Sequence, residues 1–230
     1  MTLINPSAQR SRPGTAIKAL RPVLRPVNNA LLDRDDLLML YHAVEPQLTQ
    51  DRPPMLVLTS AVHGEGVSTL ARELGQVVAG EVGQAVLLIS ASPDADGPNG
   101  LEEVIDGSLP LDRAIEPDEH VPLLYRARLC TRGSHAGHLF NSADLDRTFA
   151  QALRFTRLVL IDAPPVLNDV TALAFARRAA GVILVVEAER TRTALVEQAK
   201  RAVERADGRL CGVVLNKRRE RIPSSIVRRL

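Results

Sequence analysis

The chain has 230 residues, of which 45% are apolar and 3% aromatic, with no tryptophan and a net charge of +2. That length suits one domain of roughly 170–200 residues plus tails. With so few aromatics the core must be Leu, Val, Ile and Ala, a composition common in α/β folds whose strands are covered on both faces. No stretch approaches the roughly 20 apolar residues of a membrane span, and the start lacks the apolar run of a secretory leader, so a cytosolic protein is expected.

The small net charge hides a pattern. Residues 1–30 carry Arg10, Arg12, Lys18, Arg21 and Arg25 and no acid. Residues 217–230 carry Lys217, Arg218, Arg219, Arg221, Arg228 and Arg229 against Glu220 alone, so the body between them is acidic. Basic ends can lie against an anionic membrane surface, each cation contributing about 1 kcal/mol, or simply be solvated. An acidic body with few aromatics disfavours nucleic acid as a partner. Cys130 and Cys211 sit among apolar neighbours and read as packing residues of a reducing compartment.

In chain order, Pro6, Pro13, Pro22 and Pro26 break up a polar segment, and residues 1–33 are expected to form a basic mobile arm. An apolar stripe of Leu37, Leu38, Leu40, Tyr41 and Val44 predicts a helix over 34–49. An α/β alternation follows. Buried strands are predicted at Met55–Thr59, Ala85–Ile89, Leu158–Ile161, Val182–Val186 and Gly212–Leu215, and a weaker one at Val121–Leu129. Helices are predicted at Ser68–Ala79 with a stop at Gly80, at Ser142–Arg154 capped by Ser142, and at 169–179 and 191–206. Shorter helical pieces are expected at Gly100–Asp106 and Leu111–Ile115. Five or six apolar strands with helical crossovers imply an α/β fold with a mostly parallel central sheet covered by helices on both faces. The domain is expected to span 34–222, with a basic tail at 223–230.

The segment from Leu56 to Leu70 reads as strand, glycine loop and helix start. A working phosphate loop has this context and ends in Gly-Lys-Ser/Thr. Its glycines let amides converge on phosphate oxygens, and the helix N-terminus adds partial positive charge. Gly64, Gly66, Ser68 and Thr69 are in place, but Val67 stands where the lysine belongs. No neighbouring lysine is expected to substitute, since none lies between Lys18 and Lys200. The second strand ends in Ser90 and Ser92 where ATPases of this kind carry carboxylates, and Asp94 and Asp96 follow on a loop expected to face solvent. Leu158-Val159-Leu160-Ile161-Asp162 is a buried strand ending in an acid, the pattern in which a carboxylate acts on magnesium through water.

These segments resemble the bacterial tyrosine kinase family, the cytoplasmic ATPases of capsule and exopolysaccharide export, from about residue 34 to 222. Residues 59–69 resemble its Walker A with a Pro-Gly-Glu-Gly-Lys-Ser-Thr core. Residues 100–107 resemble its Gly-Leu-Ser-Asp-Val-Leu-x-Gly segment. Residues 162–166 resemble its Asp-Thr-Pro-Pro-Val, and residues 212–216 its last strand, whose Asn lies near the adenine. The resemblance implies a P-loop NTPase fold of the Walker A, A′ and B, MinD-like kind. It marks Gly64, Glu65, Gly66, Val67, Ser68, Thr69 and Asn216 as a vestigial nucleotide site, and Ser68 with Asp162 as a vestigial magnesium site.

The departures are as specific. The lysine is Val67 and the Walker A′ aspartates are Ser90 and Ser92. The nearest match to the family's ring-forming Glu-x-x-Arg-x-x-Arg helix is Asp36, Met39 and His42. The C-terminus has Ser224 and Ser225 but no tyrosine; Tyr41 and Tyr125 are the only two in the chain. Phosphoryl transfer rests on positioning and charge neutralisation, and losing one charged contact commonly costs 10²- to 10³-fold. The expectation is therefore a protein with no catalytic residues and no required cofactor, with weak binding of ATP, ADP and Mg²⁺ left open. It would act as a regulatory partner of an inner-membrane polysaccharide co-polymerase of the chain-length-regulator type. The alternatives are an active autokinase or ATPase of the same system and, less favoured, a positioning ATPase of the MinD/ParA kind, whose additional loop lysine is missing from Ala61-Val62-His63. His63, His120, His135 and His138 are expected to be solvated rather than metal ligands, Glu187 and Glu189 to lie on the surface, and Arg177-Arg178 to close a helix where cations favour the dipole.

Overall fold

The computed structural model describes residues 33–48, 51–94, 99–131 and 143–217. The expected arm but for Asp33, the basic tail, Asp96, Ser142, His135 and His138 lie outside them. Helix α1 (Arg34–Leu48) is followed by β1 (Met55–Ser60), α2 (Val67–Val77), β2 (Val86–Ser92), α3 (Leu101–Ile105), α4 (Leu111–Ala114), β3 (Glu116–Pro117) and β4 (Leu124–Cys130). Then come α5 (Ala143–Ala152), β5 (Leu158–Asp162), α6 (Thr171–Ala176), β6 (Gly181–Glu187), α7 (Thr193–Arg205) and β7 (Leu210–Asn216). The seven strands run in the order β3-β4-β2-β5-β1-β6-β7. All pair in parallel except the short edge strand β3, which is antiparallel to β4.

Strand alternation sorts the core into two layers. On β1, Met55 and Val57 face the layer built by α3 to α7, with Leu101, Phe149, Phe175 and Val203 packed there. Leu56 and Leu58 face the other layer, with Leu40, Tyr41, Leu70 and Leu74 of α1 and α2. Parallel strands buried on both faces must be apolar at every position, which is why β1, β5 and β6 read as unbroken hydrophobic runs. α1 is anchored by Tyr41, whose hydroxyl donates to Gln84 Oε1 at 2.8 Å.

Several elements differ from the sequence expectation. α2 does not stop at Gly80: it runs on as a π-helical turn over Val78–Val82 and ends at Gly83, whose φ of 71° suits a glycine. The helix expected over 169–179 is shorter, 171–176. β3, only two residues long, carries no periodic signal. The expected ring-forming match on α1 also divides: Met39 and His42 are exposed, whereas Asp36 is buried.

Phe175 is fully buried and meets Phe149 edge to face at 6.5 Å. Phe175→Ala is expected to cost about 3–5 kcal/mol in urea unfolding. Phe155→Ala, at a half-exposed ring, is expected to cost about 1 kcal/mol or less.

Candidate functional site

A cleft of about 470 Å³ opens where the C-terminal ends of β1, β2 and β5 meet the loop before α2. Its walls include residues 63–69, Ser92, Asp94, Asp162, Pro164 and Lys217. Ligands of open parallel sheets bind at this edge, beyond the carboxyl ends of the strands. The loop turns through two left-handed glycines, Gly64 (φ 85°) and Gly66 (φ 94°). A Cβ on Gly66 would sit 2.1 Å from Asn216 Nδ2, so both its φ and its crowding require glycine.

Glu65 is the anchor of the loop. It is 1% exposed, and its carboxylate gathers four donors. The amides of Ala61 and Val62 donate to Oε2 at 2.9 and 3.0 Å. The Glu187 amide donates to Oε1 at 3.0 Å, and the Thr191 hydroxyl donates to the same oxygen. Asn216 Nδ2 donates to the Glu65 carbonyl at 2.8 Å. Sequence reasoning placed Glu65 and Asn216 in a nucleotide site; their bonds here are to the loop itself and to the ends of β6 and β7.

Asp162 lies at the end of β5, in register with Leu58 of β1 and Ser90 of β2. Burial pushes its carboxyl up to about 6, against the lowering effect of a hydrogen bond from Ser68. The expected metal pair is thus brought together, a hydroxyl and a carboxylate of the hard-oxygen kind that suits magnesium. The following turn is fixed to β1 by Thr59 Oγ1 donating to the Pro164 carbonyl at 2.7 Å and by the Val166 amide donating to the Ser60 carbonyl at 2.9 Å. Ser90 and Ser92 stand at the adjoining strand end, and Asp94 is exposed at the rim of the cleft.

Val67 takes no part in the cleft's electrostatics: it is buried in the core layer formed by α1 and α2. The expectation that no lysine substitutes for it rests on distance along the chain, and the fold brings a distant lysine close to the loop in space. Lys217 directly follows β7, and its Nζ donates to the Gly64 carbonyl and pairs with Glu187 Oε2 at 3.2 Å. The parallel order β1-β6-β7 carries a residue 153 positions away to the loop. Glu187 is likewise not a surface acid. It is largely buried, pairs also with Arg190 at 3.3 Å, and its carboxyl is held below the usual range by the Lys217 and Arg190 charges, which outweigh the burial that raises it. The one sequence signal for both residues is that each sits at the carboxyl end of a parallel strand. His63 is exposed beside the loop, and the described residues contain no cluster of metal-ligating side chains. Arg178 pairs with Asp146 at 2.5 Å, a tertiary role beyond the helix-end one.

The glycine loop, the α2 N-terminus, the Ser68–Asp162 pair and Lys217 fit the phosphate chain of a nucleotide with its magnesium. Fold and cleft together define a P-loop NTPase-like α/β domain. Tyrosine-protein kinase CpsD of Streptococcus agalactiae serotype III (strain NEM316) is 28% identical over 182 residues, 73% of this chain and 76% of that protein. The kinase domain of Escherichia coli tyrosine kinase ETK superposes with a TM-score of 0.73 at 19% identity, over 83% of this chain and 78% of that one. The BceF tyrosine kinase domain gives 0.66 at 25% identity, over 79% and 74%. No family model matches the chain. Within the P-loop class, the chain is similar in sequence and fold to bacterial tyrosine kinases.

Two outcomes follow from the site. Glu65→Gln replaces one acceptor oxygen with a donor facing N–H or O–H groups and is expected to lower stability by about 2–4 kcal/mol in urea unfolding. Because the Asp162 carboxyl is raised, its protonated form is favoured on folding, and stability is lost as pH rises from about 4 through about 6. Asp162→Asn is expected to be more stable than wild type at pH 7.5 in urea unfolding, by about 1–3 kcal/mol, with the difference vanishing near pH 4.

Proposed function

We propose that this domain is a catalytically degenerate member of the bacterial tyrosine kinase family, acting as a cytoplasmic regulatory partner of an inner-membrane polysaccharide co-polymerase in exopolysaccharide synthesis and export. The observation that carries the proposal is Val67. The position that should deliver the phosphate-binding ammonium instead delivers an isopropyl group to the core. Ser90 and Ser92 remove the Walker A′ carboxylates as well, so neither the charge on the transferring phosphoryl group nor its attacking nucleophile is served in the family's way. The phosphoacceptor side agrees. Tyr41 is 2% exposed with its hydroxyl bonded to Gln84, and Tyr125 lies within β4 against Phe155.

On this proposal the fold is retained as a docking body, its basic ends favour the anionic inner face of the membrane, and nucleotide is not required. Among the described residues no helix is long and apolar enough to cross a membrane. The second reading is an active ATPase or autokinase. It is favoured by the Ser68–Asp162 pair and by Lys217 at the loop. A positioning ATPase is weaker, because its additional loop lysine is absent from residues 61–63.

The test is complementation of a deletion strain, with exported polymer quantified. Wild type and Asp162→Ala are expected to restore equal export. Loss of export with Asp162→Ala, at equal protein level, would favour the active enzyme.

A further inference from the structure

We infer that Lys217 supplies the positive charge that Val67 lacks, so that the cleft holds the phosphate chain of a nucleoside polyphosphate through a cation delivered from the end of β7. This rests on the P-loop reading of the cleft, not on the co-polymerase role.

Lys217 is positioned by backbone, not by chance contact. Its φ of 56° is left-handed, an uncommon conformation for a residue with a side chain. Its amide donates to Asn216 Oδ1 at 2.9 Å, while Asn216 Nδ2 holds the Glu65 carbonyl. The residue is therefore tied to the same loop its ammonium reaches. Its Cε lies 3.8 Å from where a Cβ on Gly66 would be, so the stem lies across the glycine turn with the ammonium at its rim.

The ammonium's present partners can be exchanged. One is a neutral carbonyl, that of Gly64, and a phosphate oxygen makes a stronger, charge-assisted bond. The other is Glu187, which keeps a counter-cation in Arg190 when Lys217 turns away. The side chain is 45% exposed, leaving it room to swing into the cleft. There it would meet the phosphates between the α2 N-terminus and the Ser68–Asp162 pair. A lysine acts on phosphate as a point charge, so its direction of approach matters less than its distance.

The test is calorimetric titration of ATP–Mg and ADP–Mg into the full chain, its Lys217→Met and Val67→Lys variants and the double variant, with thermal melts confirming that each is folded. Lys217→Met keeps the aliphatic stem and removes only the charge. Wild type is expected to bind, Lys217→Met to bind at least tenfold more weakly, and Val67→Lys to restore binding in the Lys217→Met background. Equal binding by wild type and Lys217→Met would overturn the inference. Binding by Val67→Lys but not by wild type, to millimolar concentration, would also overturn it and leave the loop a relic of a non-catalytic domain. Binding by none of the four would overturn both the inference and the P-loop reading of the cleft.

Discussion

The Glu65 carboxylate is the interaction on which the site's architecture depends. A buried carboxylate is costly unless its oxygens are filled with donors, and here four donors from three places fill them. Two come from the loop itself, one from the end of β6 and one from the segment leading into α7. The carboxylate thus ties the loop after β1 to the neighbouring strand β6, and the Asn216 bond extends the tie to β7. The glycines can take up left-handed turns because the chain on either side of them is fixed. A phosphate loop needs that stiffness, since amides point at an anion only if the backbone is held before the anion arrives.

On the proposed reading, stiffness and chemistry have separated in this chain. The groups that shape the loop (Gly64, Glu65, Gly66 and Asn216) are intact and mutually bonded. On that reading, the groups that would act on a transferring phosphoryl depart from the family pattern: Val67 lies in the hydrophobic core, and Ser90 and Ser92 stand at the end of β2. Asp162 and Ser68 keep their geometry, but burial holds the Asp162 carboxyl up to about 6, a shift that a bound divalent cation would offset. Lys217, Glu187 and Arg190 form a small ion-pair group beside the loop, which brings a positive charge from the edge strand β7 to Gly64.

Much of the fold was legible in the sequence because its physics is local. Met55–Ser60, Leu158–Asp162 and Gly181–Glu187 are apolar at nearly every position, as strands covered on both faces must be, and Val67–Val77 is amphipathic. The glycine loop and the strand-end Asp162 were legible for the same reason, since each is a short motif in a recognisable context. What escaped was set by long-range packing. The π-helical turn at Val78–Val82 overrode the stop expected at Gly80. Asp36 turned inward from the helix face on which Met39 and His42 are exposed. Lys217 and Glu187 became part of the site only because the order β1-β6-β7 brings three strand ends together. A search along the chain for a nearby lysine had no means of seeing a neighbour in space.

The most direct test of the account's central claim, that the loop is held in shape without serving phosphoryl transfer, is phosphate release from ATP–Mg by the purified full chain over hours, beside Asp162→Ala. The account predicts the same background rate for both proteins. Release by wild type that disappears in Asp162→Ala would contradict it and establish an enzyme with an unusual site.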